Sequence, residues 1–231
     1  VEYFVVATGL LSELPRDAAG FVLIAIPSGG SAAVVQQNPV VFALHAGPDA
    51  PPVDLGAGGA ALASGLAFGE LSGAIQVPPA SYPIDVYAAG GLDAGDAPVA
   101  TVPTPELAAG ERYLAIATGF LAPAAGEGAF QILFERDGFD VAGAGALVRV
   151  VHASPNAPAV DVGVVADGGF SAVAPLSGLE FGAASDEAGV ALDDAAGSAL
   201  GLGDALEGAS GAAGRAGAAG RQAGADAAAG A

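Results

Sequence analysis

The chain has 231 residues, of which 53% are hydrophobic and 13% charged, so it can bury a sizeable core. Its 25 acidic side chains against six basic ones give a net charge of −19, which argues against nucleic-acid binding, because such binding depends on Lys and Arg contacts to phosphates. The absence of cysteine excludes disulfides and thiol chemistry, and no apolar run reaches the roughly 20 residues that a membrane-spanning helix needs.

The first strand-like block of the chain recurs further along it. EYFVVATGLL at residues 2–11 matches RYLAIATGFL at 112–121, and HAGPDAPPVDL at 45–55 matches HASPNAPAVDV at 152–162. These matches give a period of about 110 residues, which indicates tandem domains, because solenoid repeats are only about 20 to 50 residues long. The repeat predicts the closing strands of one copy, a complete copy and the opening half of a further copy, over residues 1–37, 40–139 and 147–192 respectively.

The stretches 45–55 and 152–162, which we call the first and second corners, hold the two histidines of the chain. Each has a histidine at the end of a predicted strand, a proline-bounded turn and then an aspartate. Because prolines fix φ and remove backbone donors, we expect a rigid turn between two strands. The central Asn or Asp is expected to form an Asx turn, and the last Asp to accept a hydrogen bond from the histidine or to cap loop amides. The residues of this structural motif are His45, Asp49, Pro51, Asp54, His152, Pro155, Asn156, Pro158 and Asp161.

Short strands are clearest in the predicted complete copy. Alternating side chains predict strands in YPIDVYA at 82–88 and FQILFE at 130–135, and RYLAIAT at 112–118 has two apolar faces. Tyr87 falls at a strand position typical of core residues, with an exposed contact residue as the alternative, and ERDG at 135–138 is typical of a hairpin turn. The 37 glycines and 16 prolines fit the same pattern. We therefore predict an all-β fold, an antiparallel immunoglobulin-like β-sandwich in tandem copies, with a small closed barrel as the alternative.

The composition changes at residue 193. Residues 193–231 contain no aromatic or β-branched side chain and are dominated by Ala and Gly, so they form a low-complexity C-terminal tail. Two explanations stay open. The tail is a flexible linker, or it is not native coding sequence, since Ala, Gly, Arg and Asp also dominate out-of-frame translation of GC-rich DNA.

Two reactive interpretations of the corners are weaker than the structural one. A Ser-His-Asp triad would use Ser154, but the first corner has Gly47 at that place, so the nucleophile is missing from one copy. Calcium could bind Asp49 and Asp54 or the DAGD sequence at 93–96, yet no run of alternating acidic residues supports a calcium loop. We therefore predict no catalytic, cofactor-binding or metal-binding residue.

The corners also carry a resemblance to a known family. VFALHAGPDAPPVDL at 41–55 and VRVVHASPNAPAVDV at 148–162 resemble the opening motif of a bacterial and archaeal family called domain of unknown function 4397. Residues 66–90 resemble the middle strands of that family, and residues 107–119 resemble its closing strand. The resemblance implies a β-sandwich module, tandem repetition and secretion or surface display, with no established enzymatic activity. It ends at about residue 190, where the second copy lacks its remaining strands.

The expected function is that of a non-enzymatic secreted or cell-surface repeat module, which serves as a spacer, adhesion or envelope-associated domain. The alternative is a module that binds carbohydrate, calcium or a partner protein through its inter-strand loops, and a third alternative is an extracellular hydrolase. Since methionine is absent, we expect that a signal peptide has been removed or lies outside the given sequence. The expected partners are neighbouring repeats or components of the cell envelope. Residues 1–37 are the strands that the second copy lacks, so we also expect them to pair with the half-copy of their own chain or of a neighbour.

Overall fold

The computed structural model describes residues 2–10, 21–35, 37–138, 146–166, 169–192 and 200–202. In this part of the chain the regular structure consists of β-strands in several sheets, one helix of four residues and one 3-10 turn of three residues, so the all-β prediction is confirmed. The first sheet is antiparallel, with its strands in sequence order: β1 Tyr3–Thr8, β2 Val22–Pro27 and β3 Ala33–Val35.

The central segment, residues 37–138, forms two four-stranded sheets. Its elements are β4 Val40–Ala46, β5 Val53–Ala57, β6 Ala60–Leu66, β7 Ile75–Gln76, β8 Pro83–Ala88, α1 Gly91–Ala94, β9 Ala100–Pro103, β10 Arg112–Thr118 and β11 Gln131–Arg136. One sheet has the order β11-β10-β4-β7 and the other the order β6-β5-β8-β9. The expectation of purely antiparallel pairing is wrong for β4 and β10, which are parallel, because the whole second sheet lies between them in sequence and no hairpin joins them.

The two sheets of the central segment contact each other through buried apolar side chains. Ala43 of β4 packs in one cluster with residues of the opposite sheet, namely Leu55, Leu66 and Val86. Burying a leucine or valine side chain contributes about 1.5–3 kcal/mol, so this contact stabilises the packing of the two sheets. The first corner lies where β4 leaves one sheet and β5 enters the other.

The second segment, residues 146–192, contains four short strands and a 3-10 turn among its described residues. Its elements are β12 Ala146–Val148, β13 Val162–Ala166, β14 Gly169–Ala172, a 3-10 turn Ala174–Leu176 and β15 Val190–Leu192. Val148 of β12 pairs with Val190 of β15, as Val41 of β4 pairs with Ile75 of β7. A last strand, β16 Leu200–Leu202, pairs with β13.

Several local predictions can be compared directly with the structure. The strands predicted over 82–88, 112–118 and 130–135 are confirmed as β8, β10 and β11, with bounds within one residue. Of the two alternatives for Tyr87, the core position is the one observed: Gly91 of α1 and Gly56 of β5 lie against its side chain, which is 8% exposed.

Two further predictions fail or lie partly outside the described residues. The turn at 135–138 is not formed there, since Asp137 still donates a backbone hydrogen bond to Arg112 along the sheet. The predicted tail lies outside the described residues except for 200–202, which are a strand.

The predicted pairing of residues 1–37 with the half-copy of the same chain is also wrong. In the described part of the chain, β1 pairs with β2 alone, and the sheet contains no strand of the second segment.

Candidate functional site

The first corner is held by the imidazole ring of His45. Alternation along β4 turns this side chain inward, and it is 2% exposed. Its Nδ1 accepts a hydrogen bond from the Gly47 amide at 3.3 Å, and its Nε2 lies 3.1 Å from the Pro51 carbonyl oxygen. Because an amide only donates and a carbonyl only accepts, the proton must reside on Nε2. The ring is therefore neutral and bridges two backbone groups of the same turn.

The second corner has equivalent contacts, with a different residue two places after the histidine. His152 is 4% exposed, its Nδ1 accepts from the Ser154 amide at 3.2 Å and its Nε2 lies 3.0 Å from the Pro158 carbonyl oxygen. Each ring also meets a phenylalanine edge to face at 6.4 Å, Phe68 in the first case and Phe181 in the second. Both histidines thus have the same set of partners.

The corner aspartates bind backbone amides and not the histidines. Asp54 is 3% exposed, and its two carboxylate oxygens accept hydrogen bonds of 2.7 Å from the amides of Gly65 and Gly90. Asp161 accepts a bond of 2.7 Å from the Gly178 amide at an exposed position. Of the two expected roles, capping of loop amides is the one observed, at Gly90 and Gly178, and Asp54 also binds the amide of Gly65 within β6. Hydrogen bonds to a carboxylate are stronger than neutral ones, so this cap is a substantial constraint.

Asp49 does not form the predicted Asx turn. Its carboxylate accepts hydrogen bonds from the backbone amides of Leu121 at 3.0 Å and Ala122 at 3.4 Å. It therefore ties the first corner to the loop that follows β10. The matching Asn156 is exposed, while the neighbouring Pro155 is buried.

These contacts leave little room for acid-base chemistry at the corners. Ser154 is exposed and meets the histidine with its backbone amide, so both nitrogens of His152 are already used by backbone groups. A triad needs a ring nitrogen that can take a proton from the serine hydroxyl, and this arrangement does not offer one. Across the described ranges, no three His, Cys, Asp or Glu side chains come together as metal ligands would.

Sequence reasoning missed the junction between the central and second segments. The hydroxyl of Thr118, a fully buried residue at the end of β10, donates to the Ala153 carbonyl in the second corner at 2.7 Å. The Gly128 amide donates to the Pro155 carbonyl at 2.7 Å, and the Phe181 ring packs so closely on Gly128 that a Cβ would not fit there. These partners are 27 or more residues apart in sequence, so only the glycine at 128 could have suggested a close approach.

Ion pairs extend this junction along β11. Arg149 of the second segment pairs with Glu135 and also donates to the Arg136 carbonyl. Arg136 in turn pairs with Glu187, and the hydrogen bond and negative charge of Glu187 raise the pKa of Arg136 above its ordinary value. This guanidinium therefore stays charged at every pH at which the protein can be studied.

An apolar cavity of about 160 Å³ adjoins the first corner. His45 and Pro51 form one wall, and Val86, Leu121 and Phe130 are among the other lining residues. A smaller cavity of about 60 Å³ lies between the two sheets of the central segment.

The comparisons with known proteins fall on the segment that holds both corners. A family model described as domain of unknown function (DUF4397) matches residues 40–187. No curated protein and no solved structure matches the chain. Within the described residues, the structure has no helix with the length and apolar character required to cross a membrane.

Proposed function

Because the chain belongs to the family described as domain of unknown function (DUF4397), we propose that it is a non-enzymatic module of tandem immunoglobulin-like β-sandwich repeats. The module is displayed outside the cell or on its surface as a spacer, adhesion or envelope-associated domain. The observation that carries this proposal is the use of both ring nitrogens of His45 and His152 by backbone groups. The only two histidines of the chain then hold turns in place and are not available for proton transfer.

The tandem arrangement is supported by equivalent contacts in the two segments. The amide of His45 donates to Glu70 and that of His152 to Ala183, with distances of 3.1 and 2.9 Å. Besides the histidine contacts, the hydroxyl oxygens of Ser72 and Ser185 accept hydrogen bonds from the backbone amides of Ala43 and Val150, which precede the two corners. The contact between the two sheets of the central segment supports the sandwich.

The junction supports a spacer role. Each neighbour in a spacer must be held at a fixed angle, and here hydrogen bonds, two ion pairs and a close ring-glycine contact all join the same two segments. A net charge of −19 without lysine suits extracellular or high-salt surroundings, because it keeps such surfaces hydrated and separate. Gly128→Ala tests this role by small-angle scattering, with Gly73→Ala, a glycine with open space around it and no positive φ, as the control. The first variant is expected to broaden the distribution of distances between the segments, and equal profiles for both variants would contradict a rigid junction.

The non-enzymatic assignment is tested with His152→Ala and the matched variant His45→Ala. Ester, glycoside and peptide substrates are offered to the chain and to both variants, while circular dichroism follows folding. We expect no turnover from any of them and a loss of stability in both variants. A hydrolytic activity that disappears in His152→Ala with the fold intact would overturn the assignment.

Surface display is tested on cells that produce the full-length protein. Protease added to intact cells is expected to remove the module, while a cytoplasmic marker protein stays uncut. Protection of the module until the cells are lysed would contradict an extracellular location.

A second candidate function, ligand binding, is favoured by the apolar cavity beside His45. Cavities of about 150 Å³ with apolar walls hold small apolar molecules, which makes such a ligand a better fit than carbohydrate or calcium. Binding of such a ligand is tested by adding xenon or benzene and measuring the melting temperature, which should rise. Val86→Phe, which fills the cavity, should abolish that shift, and a shift that persists in this variant would place the ligand elsewhere.

A further inference from the structure

The strand β1 is exposed although its sequence counterpart β10 is buried. The matching blocks place Tyr3 and Val6 of β1 where β10 has Tyr113 and Ile116. Tyr113 and Ile116 are 6% and 3% exposed, whereas Tyr3 and Val6 are 60% and 43% exposed. Strand β1 thus has the apolar side chains of a buried strand, but these side chains are exposed.

The surroundings of β10 identify what β1 lacks. Strand β10 runs parallel to β4, and Ile116 pairs with Leu44. The hydrogen bond from the Val40 amide to the carbonyl of Glu111, the residue before β10, shows that every second residue after it turns its backbone groups toward β4. In β10 these residues are Tyr113, Ala115 and Ala117. In β1 the matching positions are Tyr3, Val5 and Ala7.

The backbone groups of those three residues face an open edge. The amide of Ser28, the residue after β2, donates to the Glu2 carbonyl, so the backbone groups of Glu2 and of every second residue after it face β2. Tyr3, Val5 and Ala7 consequently point the other way, where no strand is paired among the described residues. The backbone amide and carbonyl groups that β1 leaves unpaired are therefore at the same positions as those with which β10 bonds to β4.

The second segment presents the complementary edge. Residues 147–153 correspond to β4, and on one side they bond to residues 183–185 and β15, as β4 bonds to its own partners. On the other side, the amide and carbonyl groups of Arg149 and Val151 have no backbone partner in the part of the chain that the structure describes. This is the side on which β4 receives β10.

We propose that β1 of one molecule adds to the edge at residues 147–151 of a second copy of this chain, parallel and in the register of β10 on β4. Transfer of that register places Tyr3 beside Val148 and Val6 beside Val151. The contact is heterologous, so each molecule keeps one donor strand and one acceptor edge, and the assembly grows head to tail. Because every chain carries a charge of −19, added salt strengthens the assembly by screening the repulsion between copies.

Two proline variants of the full chain test the direction of the contact. Val5→Pro removes the amide that would bond to Arg149 of the neighbour, and it spares the bonds between β1 and β2. Val151→Pro removes the amide of the acceptor edge that would bond to Val5. In analytical ultracentrifugation, the unaltered chain is expected to show masses that rise with concentration in multiples of 21.8 kDa, while each variant alone stays at 21.8 kDa. A mixture of the two variants is expected to form a complex of two chains and nothing larger, because one intact donor meets one intact acceptor.

Each other outcome overturns the proposal. An unaltered chain that remains at 21.8 kDa at every concentration and salt level has no such contact. Association of Val151→Pro with itself would indicate a symmetric pairing of two β1 strands instead. A mixture that stays monomeric, with both variants folded by circular dichroism, would also contradict it.

Cross-linking provides a second measurement that does not depend on the folding of the proline variants. The chain has no cysteine, so Val6→Cys and Val151→Cys introduce single thiols in separate molecules. Oxidation of their mixture is expected to give a disulfide between the two variants, whereas Val6→Cys with Val148→Cys should not, since three residues along a strand displace the thiols by about 10 Å. Equal disulfide yields from both mixtures would rule out the register. In a single chain that carries both Val6→Cys and Val151→Cys, an intramolecular disulfide would show that β1 pairs with its own molecule.

Discussion

Replacing His45 by alanine is expected to lower the free energy of unfolding of the central segment by about 3–5 kcal/mol. The change leaves the Gly47 amide and the Pro51 carbonyl without their partner, at a site where the side chain is 2% exposed. Each buried polar group without a partner costs about 1–3 kcal/mol. The space vacated by the ring, which meets Phe68 edge to face, adds a cavity term to this sum.

Two amide variants separate the contributions of the two hydrogen bonds. In His45→Gln the side-chain amide can still donate to the Pro51 carbonyl, and in His45→Asn the side-chain oxygen can still accept from the Gly47 amide. Each variant is expected to recover about 1 kcal/mol relative to His45→Ala, which is the net value of one hydrogen bond. Neither variant can recover both bonds, because only imidazole presents an acceptor and a donor on opposite sides of a rigid ring.

The assay is urea unfolding followed by far-ultraviolet circular dichroism, since the chain has no tryptophan. His152→Ala is the matched variant in the second corner, whose ring has equivalent partners. A loss below about 1 kcal/mol for His45→Ala would refute the reasoning, because it would mean that water reaches the two backbone groups. Equal stabilities of the Ala, Asn and Gln variants would show that packing and not hydrogen bonding sets the effect.

The remaining predictions use matched pairs. Asp54→Asn is expected to lower the free energy of unfolding in urea by about 2–4 kcal/mol, because its new amide group faces a backbone amide in a buried site. Asp161→Asn, at an exposed site, should lower it by less than about 1 kcal/mol, and equal losses would contradict the role of burial. Gly119→Ala should lower the melting temperature far more than Gly126→Ala. The φ angles are similar, 94° at Gly119 and 90° at Gly126, but only at Gly119 would a Cβ meet a backbone carbonyl. Similar shifts in melting temperature would rule out that steric cause. Thr118→Val removes one hydrogen bond and is therefore expected to speed hydrogen exchange of the backbone amides in the second corner about 5- to 10-fold, whereas Thr118→Ser keeps the hydroxyl and the slow rate. Fast exchange in both variants would show that the methyl group matters more than the hydrogen bond.

The strands were predictable from the sequence because their side chains alternate over a short range. Strand β10 has the predicted bounds, Arg112–Thr118, since both of its faces are apolar and the chain turns at a glycine immediately after it. The corners were predictable in outline for a related reason: prolines and the repeat define a turn between two strands. The roles of the histidine nitrogens follow from contacts within a few residues, which a local pattern can indicate.

The parts that could not be predicted depend on contacts between distant residues. Alternation tells which side chains share a face of a strand, but not which strand is its neighbour, and so the parallel pairing of β4 with β10 was missed. Asp49 finds its amides 72 residues away, although an Asx turn was available within its own loop. Tyr87 was placed correctly on the face opposite Ile84, but the short helix that follows β8 covers that face.

The residue two places after each histidine explains why the motif recurs with different side chains. Gly47 and Ser154 both contribute only a backbone amide to the ring, so either residue serves the turn equally well. The histidine itself is less replaceable, because the side chain must be small enough to be buried and must accept a hydrogen bond at one ring nitrogen while it donates one from the other. A buried imidazole between two backbone groups of one turn therefore supports a structural origin for the recurrence of histidine, and no shared reaction is needed to account for it.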